Sequence, residues 1–190
     1  MVTLIFATHE EAHETLNTTQ AKKVATAFEN ELYTCQHGKI LICGMGPKKT
    51  EEALRRHIDQ MDAIVNIGIA GGLRTTISTC QLYPIASATM QMNQSSFHEI
   101  ALQETGLKLI TEHSPICDPK KRDRLSEAYD LVDMEGYIIA KIAKKHKKPC
   151  RLYKLVSDYC TPTMSDEIRR KLPELSMRLA YHANQIMLTK

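Results

Sequence analysis

Short apolar runs alternate with helix-forming stretches along almost the whole chain, and this alternation constrains the fold more than any other feature. Residues 2–7, 63–67, 107–111, 131–132 and 150–156 read as strands. Residues 32–35 and 39–43 read as a hairpin around His37-Gly38, and 82–88 as a strand with an edge or a bulge at Pro84. Between them, helices are expected from about residue 10, over 48–60, 97–104, 119–128 and 134–145, and over a long C-terminal stretch, 165–188, with Pro173 as a place of interruption. On the 134–145 helix, Ile138, Ile139, Ile142 and Ala143 fall on one face, and Asp133 stands where an N-cap belongs. Strands that alternate with helices predict a mixed, mainly parallel sheet covered by helices on both faces. The 190 residues are read as one domain, 1–190, with no internal repeat and no linker.

Composition excludes several classes of function. A formal net charge of +3 is too small for a dedicated nucleic-acid or membrane-surface protein. Lys141, Lys144, Lys145, Lys147 and Lys148 cluster, but without aromatic interleaving they read as the solvated end of a helix. None of the six cysteines forms a C-x-x-C pair, and several lie in apolar runs, so buried free thiols in a reducing compartment are expected. The apolar N-terminus meets His9-Glu10-Glu11 at once and reads as a strand, not a signal peptide. No apolar stretch is long enough to span a bilayer, so a cytoplasmic protein without membrane or nucleic-acid partners is expected.

In sheets of this kind ligands collect beyond the carboxyl ends of the strands, and the candidate chemistry lies there. Gly68-Ile69-Ala70-Gly71-Gly72 follows a strand and is either a tight turn or a place where backbone amides approach a ligand. It is not G-x-G-x-x-G, and Gly44-Met45-Gly46-Pro47 lacks the lysine of a phosphate loop. His9-Glu10-Glu11-Ala12-His13 matches H-E-x-x-H, whose two histidines could hold zinc with Glu10 as base. Its place directly after the first strand, with no third ligand following, argues instead for a surface helix; no metal and no cofactor is expected. Asp133-Met134-Glu135-Gly136 and Ser157-Asp158 each put carboxylates at a strand end, where each is a helix cap or strand-end turn on one reading and a functional acid on the other.

Taken together, Ala7-Thr8-His9-Glu10-Glu11, Asn66-Ile67-Gly68-Ile69-Ala70-Gly71-Gly72-Leu73, Val132-Asp133-Met134-Glu135-Gly136 and Val156-Ser157-Asp158 resemble, in order, the motifs of the nucleoside phosphorylase and nucleosidase superfamily. The resemblance is strongest to methylthioadenosine/S-adenosylhomocysteine nucleosidases and futalosine hydrolases. It implies a three-layer α/β sandwich, usually a homodimer, that cleaves the bond between a purine and ribose. It also implies catalytic roles: Asp158 as donor of a proton to purine N7, and Glu11 as the residue that orients and deprotonates a water. Glu135 would take the ribose hydroxyls with Met134 against the sugar, Gly71 would lie near the base, and Ile116 and Cys117 would line the purine pocket. Ile69, Lys154 and Ser157 complete the expected substrate-binding set.

Departures from the family pattern qualify this. Ile69 stands where the nucleosidases usually carry a hydroxyl, and Lys154 where they carry an arginine, both near the water. Cys80-Gln81 replaces a Gly-Asp, and the region 87–98 is short, which implies a wider or differently shaped pocket for the 5′ substituent. A phosphorylase would need arginines for phosphate; none stands before the Gly68 segment or after the first strand, and Glu11 would repel phosphate, so water is the expected nucleophile. The expected substrates are methylthioadenosine, S-adenosylhomocysteine or 6-amino-6-deoxyfutalosine, in methionine salvage or menaquinone precursor synthesis. A catalytically silent nucleoside-binding or interaction protein on the same fold is the alternative.

Overall fold

The computed structural model describes residues 1–24, 31–93 and 96–188. Along the chain, β1 (Val2–Phe6) leads to α1 (His9–Thr18), a short β2 (Lys22–Lys23), β3 (Glu31–Cys35), β4 (Gly38–Ile42) and α2 (Pro47–His57), which a 3-10 turn (Ile58–Gln60) extends. There follow β5 (Ala63–Gly72), β6 (Leu82–Gln91), β7 (Phe97–Ala101), β8 (Leu107–Thr111), α3 (Pro119–Ser126), β9 (Leu131–Asp133), α4 (Gly136–Lys145), β10 (Cys150–Asp158) and α5 (Met164–Leu188).

The strands form one mixed sheet. β1 lies between β4 and β5, parallel to both, with Leu4 opposite Ile40 and Val65. β5 is parallel to β10, which pairs antiparallel with the start of β6; the rest of β6 runs parallel to β8 and antiparallel to β7. β8 is parallel to β9, and β9 returns to β5 through Gly71 and Gly72, so β5, β10, β6, β8 and β9 close into a barrel-like circuit. β6 changes neighbours at a register shift between Ile85 and Ser87, just after Pro84, which meets the expectation of a bulge there.

Alternation along the strands divides the core into two layers. Leu4, Phe6, Ile40, Ile42, Val65 and Ile67 pack with Ala12 of α1 and Leu175, Leu179 and Ala183 of α5. Ile5, Leu41 and Ile64 face the other way, onto Ala53 and Leu54 of α2 and Ile138, Ile139 and Ile142 of α4. This helix–sheet–helix arrangement is the expected three-layer sandwich, produced by the period-2 pattern of strands buried on both faces. No described helix is long and apolar enough to cross a membrane.

Some elements differ from the reading of the sequence. Residues 97–104, expected as a helix, contain β7 instead: Phe97, His98 and Glu99 are exposed, Ile100 alone of the strand is buried, and its backbone bonds to β6 override helix propensity. Part of the short 87–98 region, residues 94–95, lies outside the described residues. The Gly68–Gly72 segment is not a turn but the second half of β5, paired to β10 and then β9. The helix expected from Met134 begins at Gly136, and β10 runs on through Ser157 and Asp158. α5 continues through Pro173 without a break. The cysteines are free, but buried only in part: Cys43 and Cys160 are enclosed, while Cys117 is exposed.

Candidate active site

β1, β5, β9 and β10 all end around one cavity of about 570 Å³. Its walls include Glu11, Ile69, Gly71, Ile116, Met134, Glu135, Ser157 and Asp158, eight of the ten residues expected from sequence.

Glu11 is placed by the first turn of α1. Thr8 caps that helix, its hydroxyl accepting from the Glu11 N–H at 3.2 Å. The Glu11 side chain turns back into the sheet, where its carboxylate accepts from Ala7 N–H at 3.1 Å and Ile69 N–H at 3.2 Å. It lies against Gly68, where a Cβ would come within 3.3 Å of Oε2. Burial pushes its pKa above the ordinary value, against the pull of Lys154 and the backbone donors. The histidines of the H-E-x-x-H match face elsewhere. The His9 ring nitrogen lies 2.6 Å from Glu31, and that of His13 lies 3.0 Å from the neighbouring Glu14.

Glu135 stands at the start of α4, and one carboxylate oxygen accepts from Gly46 N–H at 2.7 Å. Its pKa is pushed up to about 8, first by burial and then by Asp133, with Lys154 opposing. Asp133 closes β9. It accepts from the Thr111 hydroxyl at 2.6 Å, from Gly136 N–H at 2.8 Å and from the Lys154 ammonium at 2.8 Å. Asp133 is therefore not the N-cap expected from the sequence, because the helix starts two residues later and Glu135 takes that place, but its carboxylate still accepts from the first N–H of the helix. Asp158 ends β10. It accepts from the Ser157 hydroxyl at 2.6 Å and Cys160 N–H at 2.7 Å, and the same hydroxyl lies 3.3 Å from the Ala70 carbonyl.

Two expected residues sit off the cavity wall. Cys117 is exposed while its neighbour Ile116 turns inward, because successive residues of an extended segment face opposite sides. Lys154 is sealed behind the wall at 1% exposure, ion-paired to Asp133. Burial works against its charge, but Asp133, Glu135 and Glu11 outweigh this and raise its pKa. In this structure the Lys154 ammonium meets Asp133 behind the wall and does not reach the cavity surface.

Sequence reasoning missed other wall residues. Met45 projects from the loop before α2, and Glu10 from the start of α1. Met164, Ser165, Ile168, Arg169 and Leu172 line the cavity from the first turns of α5. Their spacing of four along a helix was legible, but nothing in it indicated that the helix start faces the strand ends. Cys160, at φ +54°, puts its sulfur beside Gly71, where a Cβ would clash at 2.5 Å; burial pushes this thiol up to about 12.

A twisted mixed sheet between two helical layers, with buried acids at the converging strand ends, defines an α/β fold of the nucleoside phosphorylase and nucleosidase kind. Solved structures agree. A futalosine hydrolase mutant of Helicobacter pylori matches with a TM-score of 0.85 and 13% identity over 96% of this chain and 96% of that one. A 5′-methylthioadenosine/S-adenosylhomocysteine nucleosidase from the same organism, with butyl-thio-DADMe-Immucillin-A, matches with a TM-score of 0.85 and 14% identity, covering 98% of this chain and 97% of that one. The corresponding nucleosidase of Chlamydia trachomatis, an Asp→Asn variant bound to MTA, is 26% identical over 95% of this chain and 93% of that one, with a TM-score of 0.76. The superfamily resemblance carried by the motifs is thus the one the structures return. No protein-family model matches the chain, and no curated protein sequence does.

Proposed function

We propose that this protein hydrolyses the N-glycosidic bond of a 5′-modified adenosine and releases adenine. The observation that carries the reading is the convergence of Glu11, Glu135 and Asp158, from three separate elements, on one cavity. About 570 Å³ suits a nucleoside with a substituent.

Cleavage passes through an oxocarbenium-like state, so the base must leave protonated, the sugar must be held and a water must be aimed. Asp158 would give its proton to purine N7. When Asp158 carries that proton, the Ser157 hydroxyl can turn from it to the Ala70 carbonyl. Glu135 would accept from the ribose hydroxyls, with Met134 against the ring. Glu11, whose pKa burial raises above the ordinary carboxylate value, is a stronger base than a free carboxylate and is suited to take a proton from water. The hydroxyl absent at Ile69 leaves Glu11 held at this position by the backbone N–H alone. Water is the preferred nucleophile, since the acids around Glu11 would repel phosphate. Methylthioadenosine, S-adenosylhomocysteine and 6-amino-6-deoxyfutalosine are the candidate substrates, in methionine salvage or menaquinone precursor synthesis, with a cytoplasmic homodimer as the working form.

The test is adenine release from each of the three compounds. The wild-type protein is expected to turn over at least one, and Asp158→Asn to lower kcat by about 10²–10⁴-fold. Absence of release from all three would favour the silent nucleoside-binding reading, which the isoleucine at position 69 supports. Ribose 1-phosphate formation dependent on phosphate would overturn the choice of water.

A further inference from the structure

The deep part of the cavity is acidic. Glu11, Asp133, Glu135 and Asp158 all reach its wall, and Lys154, the one buried cation near them among the described residues, is engaged by Asp133. These surroundings suit a neutral nucleoside, whereas an anionic group finds no free cation there among the described residues. Among the described residues lining the cavity, Arg169 is the one cationic side chain. It is exposed at the rim, on α5, and no described residue pairs with it. Its neighbour Arg170 differs, for it donates to the Asp166 carbonyl and lies off the wall.

The surroundings of Arg169 form two parallel stripes. Met164, Ile168 and Leu172 recur every four residues and make an apolar strip facing inward. Ser165 and Arg169 recur beside them at the same spacing and make a polar strip toward solvent. A substituent leaving the acidic floor would first run along thioether and aliphatic surface and then reach a hydroxyl and a guanidinium. That sequence of environments matches a chain or ring with a carboxylate at its far end, the group a planar guanidinium meets with two parallel hydrogen bonds.

On the nucleosidase reading, on which this inference rests, we propose that Arg169 is a specificity residue that receives a terminal carboxylate on the 5′ substituent. The preferred substrate class is then a 5′-substituted adenosine with an anionic end, over one ending in a methyl group. Glu10 also lines the rim, exposed and with no partner among the described residues, and it separates the two sources of such a carboxylate. An amino-acid end brings an ammonium that Glu10 attracts, whereas an aryl carboxylate brings a lone anion that Glu10 repels.

The experiment compares kcat/KM for S-adenosylhomocysteine and 6-amino-6-deoxyfutalosine with that for methylthioadenosine. In Arg169→Gln the ratio of carboxylate-bearing to methylthio substrate should fall about tenfold, through KM and not kcat. Arg169→Lys should restore part of it, and Arg170→Gln should leave it as in wild type. In the unmodified protein, added salt should raise KM for the carboxylate-bearing substrate more than for methylthioadenosine. Glu10→Gln should raise KM for the amino-acid tail or lower it for the aryl carboxylate, whichever is the better substrate. An unchanged ratio in Arg169→Gln, with methylthioadenosine still hydrolysed, overturns the role of Arg169 and leaves the nucleosidase reading standing. No adenine from any compound in the wild-type protein overturns that reading itself.

Discussion

Backbone N–H groups, more than side chains, hold the acids of this site. Glu11 rests on Ala7 and Ile69, Glu135 on Gly46, and Asp158 on Cys160. Such donors cannot be deleted by substitution, but they can be displaced by adding bulk. Gly68 is the place to do so. A Cβ there would stand 3.3 Å from Glu11 Oε2 and 3.5 Å from Oε1, so the carboxylate must give by a few tenths of an ångström and loosen its bond to Ile69. Gly68→Ala should lower kcat by about tenfold or more, because small misplacements of a reacting group are costly. Its effect on stability should stay within about 1 kcal/mol, since the chain at this position is ordinary strand and the unfolded chain loses freedom. Urea denaturation beside steady-state kinetics measures both. Glu135 and Asp158 were legible in sequence as carboxylates at strand ends, and Glu11 only through the resemblance of its motif. The Lys154–Asp133 pair was not, because it exists only once β10, β5 and β9 are brought around the same circuit.

Among the elements, α5 carries the most unusual sequence feature. Pro173 lies inside a 25-residue helix and has no N–H to give to the Arg169 carbonyl one turn earlier. The proline therefore separates two parts of the helix with different tasks. Residues 164–172 line the cavity, while Leu175, Leu179 and Ala183 pack on the sheet. Pro173→Ala restores the missing bond and should stabilise the protein, by up to about 3 kcal/mol if the ring imposes strain. It should also re-aim the first turns of α5 and raise KM for substrates with long 5′ substituents more than for methylthioadenosine. Thermal melting and the two KM values check this; a KM unchanged for both would separate the proline from the cavity. Pattern alone was enough for α5, α2 and β1, where apolar periodicity is long or the run is fully buried. It failed at β7, whose sequence favours a helix and whose strand state comes from pairing with β6. It failed also at the glycine segment of β5, because glycine signals a turn unless side chains from elsewhere fill the vacant Cβ positions. Here Glu11 fills one and Cys160 another.

At the scale of the molecule, the site is a concentration of buried charge that the fold must sustain. Glu11, Asp133 and Glu135 lie around a single ammonium, so not all three acids can be ionised at low cost. Asp133 is held by three donors, and Glu135 is the acid pushed toward its neutral form. This has a consequence for stability. An acid whose pKa rises from 4.5 in the unfolded chain to about 8 in the folded one binds more proton when folded across that interval. Its contribution is fully present below about pH 4.5 and is lost as pH rises through about 8. Within that window the unfolding free energy should fall with rising pH, by at most about 1.4 kcal/mol per pH unit from this group. Glu135→Gln removes the titration while its carbonyl oxygen can still accept from Gly46. The variant should be close to wild type in stability at pH 5, more stable than wild type at pH 8, and flatter in between. Denaturant midpoints measured across that range decide the matter, and parallel curves for the two proteins would mean that Glu135 is ionised in the folded state at all these pH values.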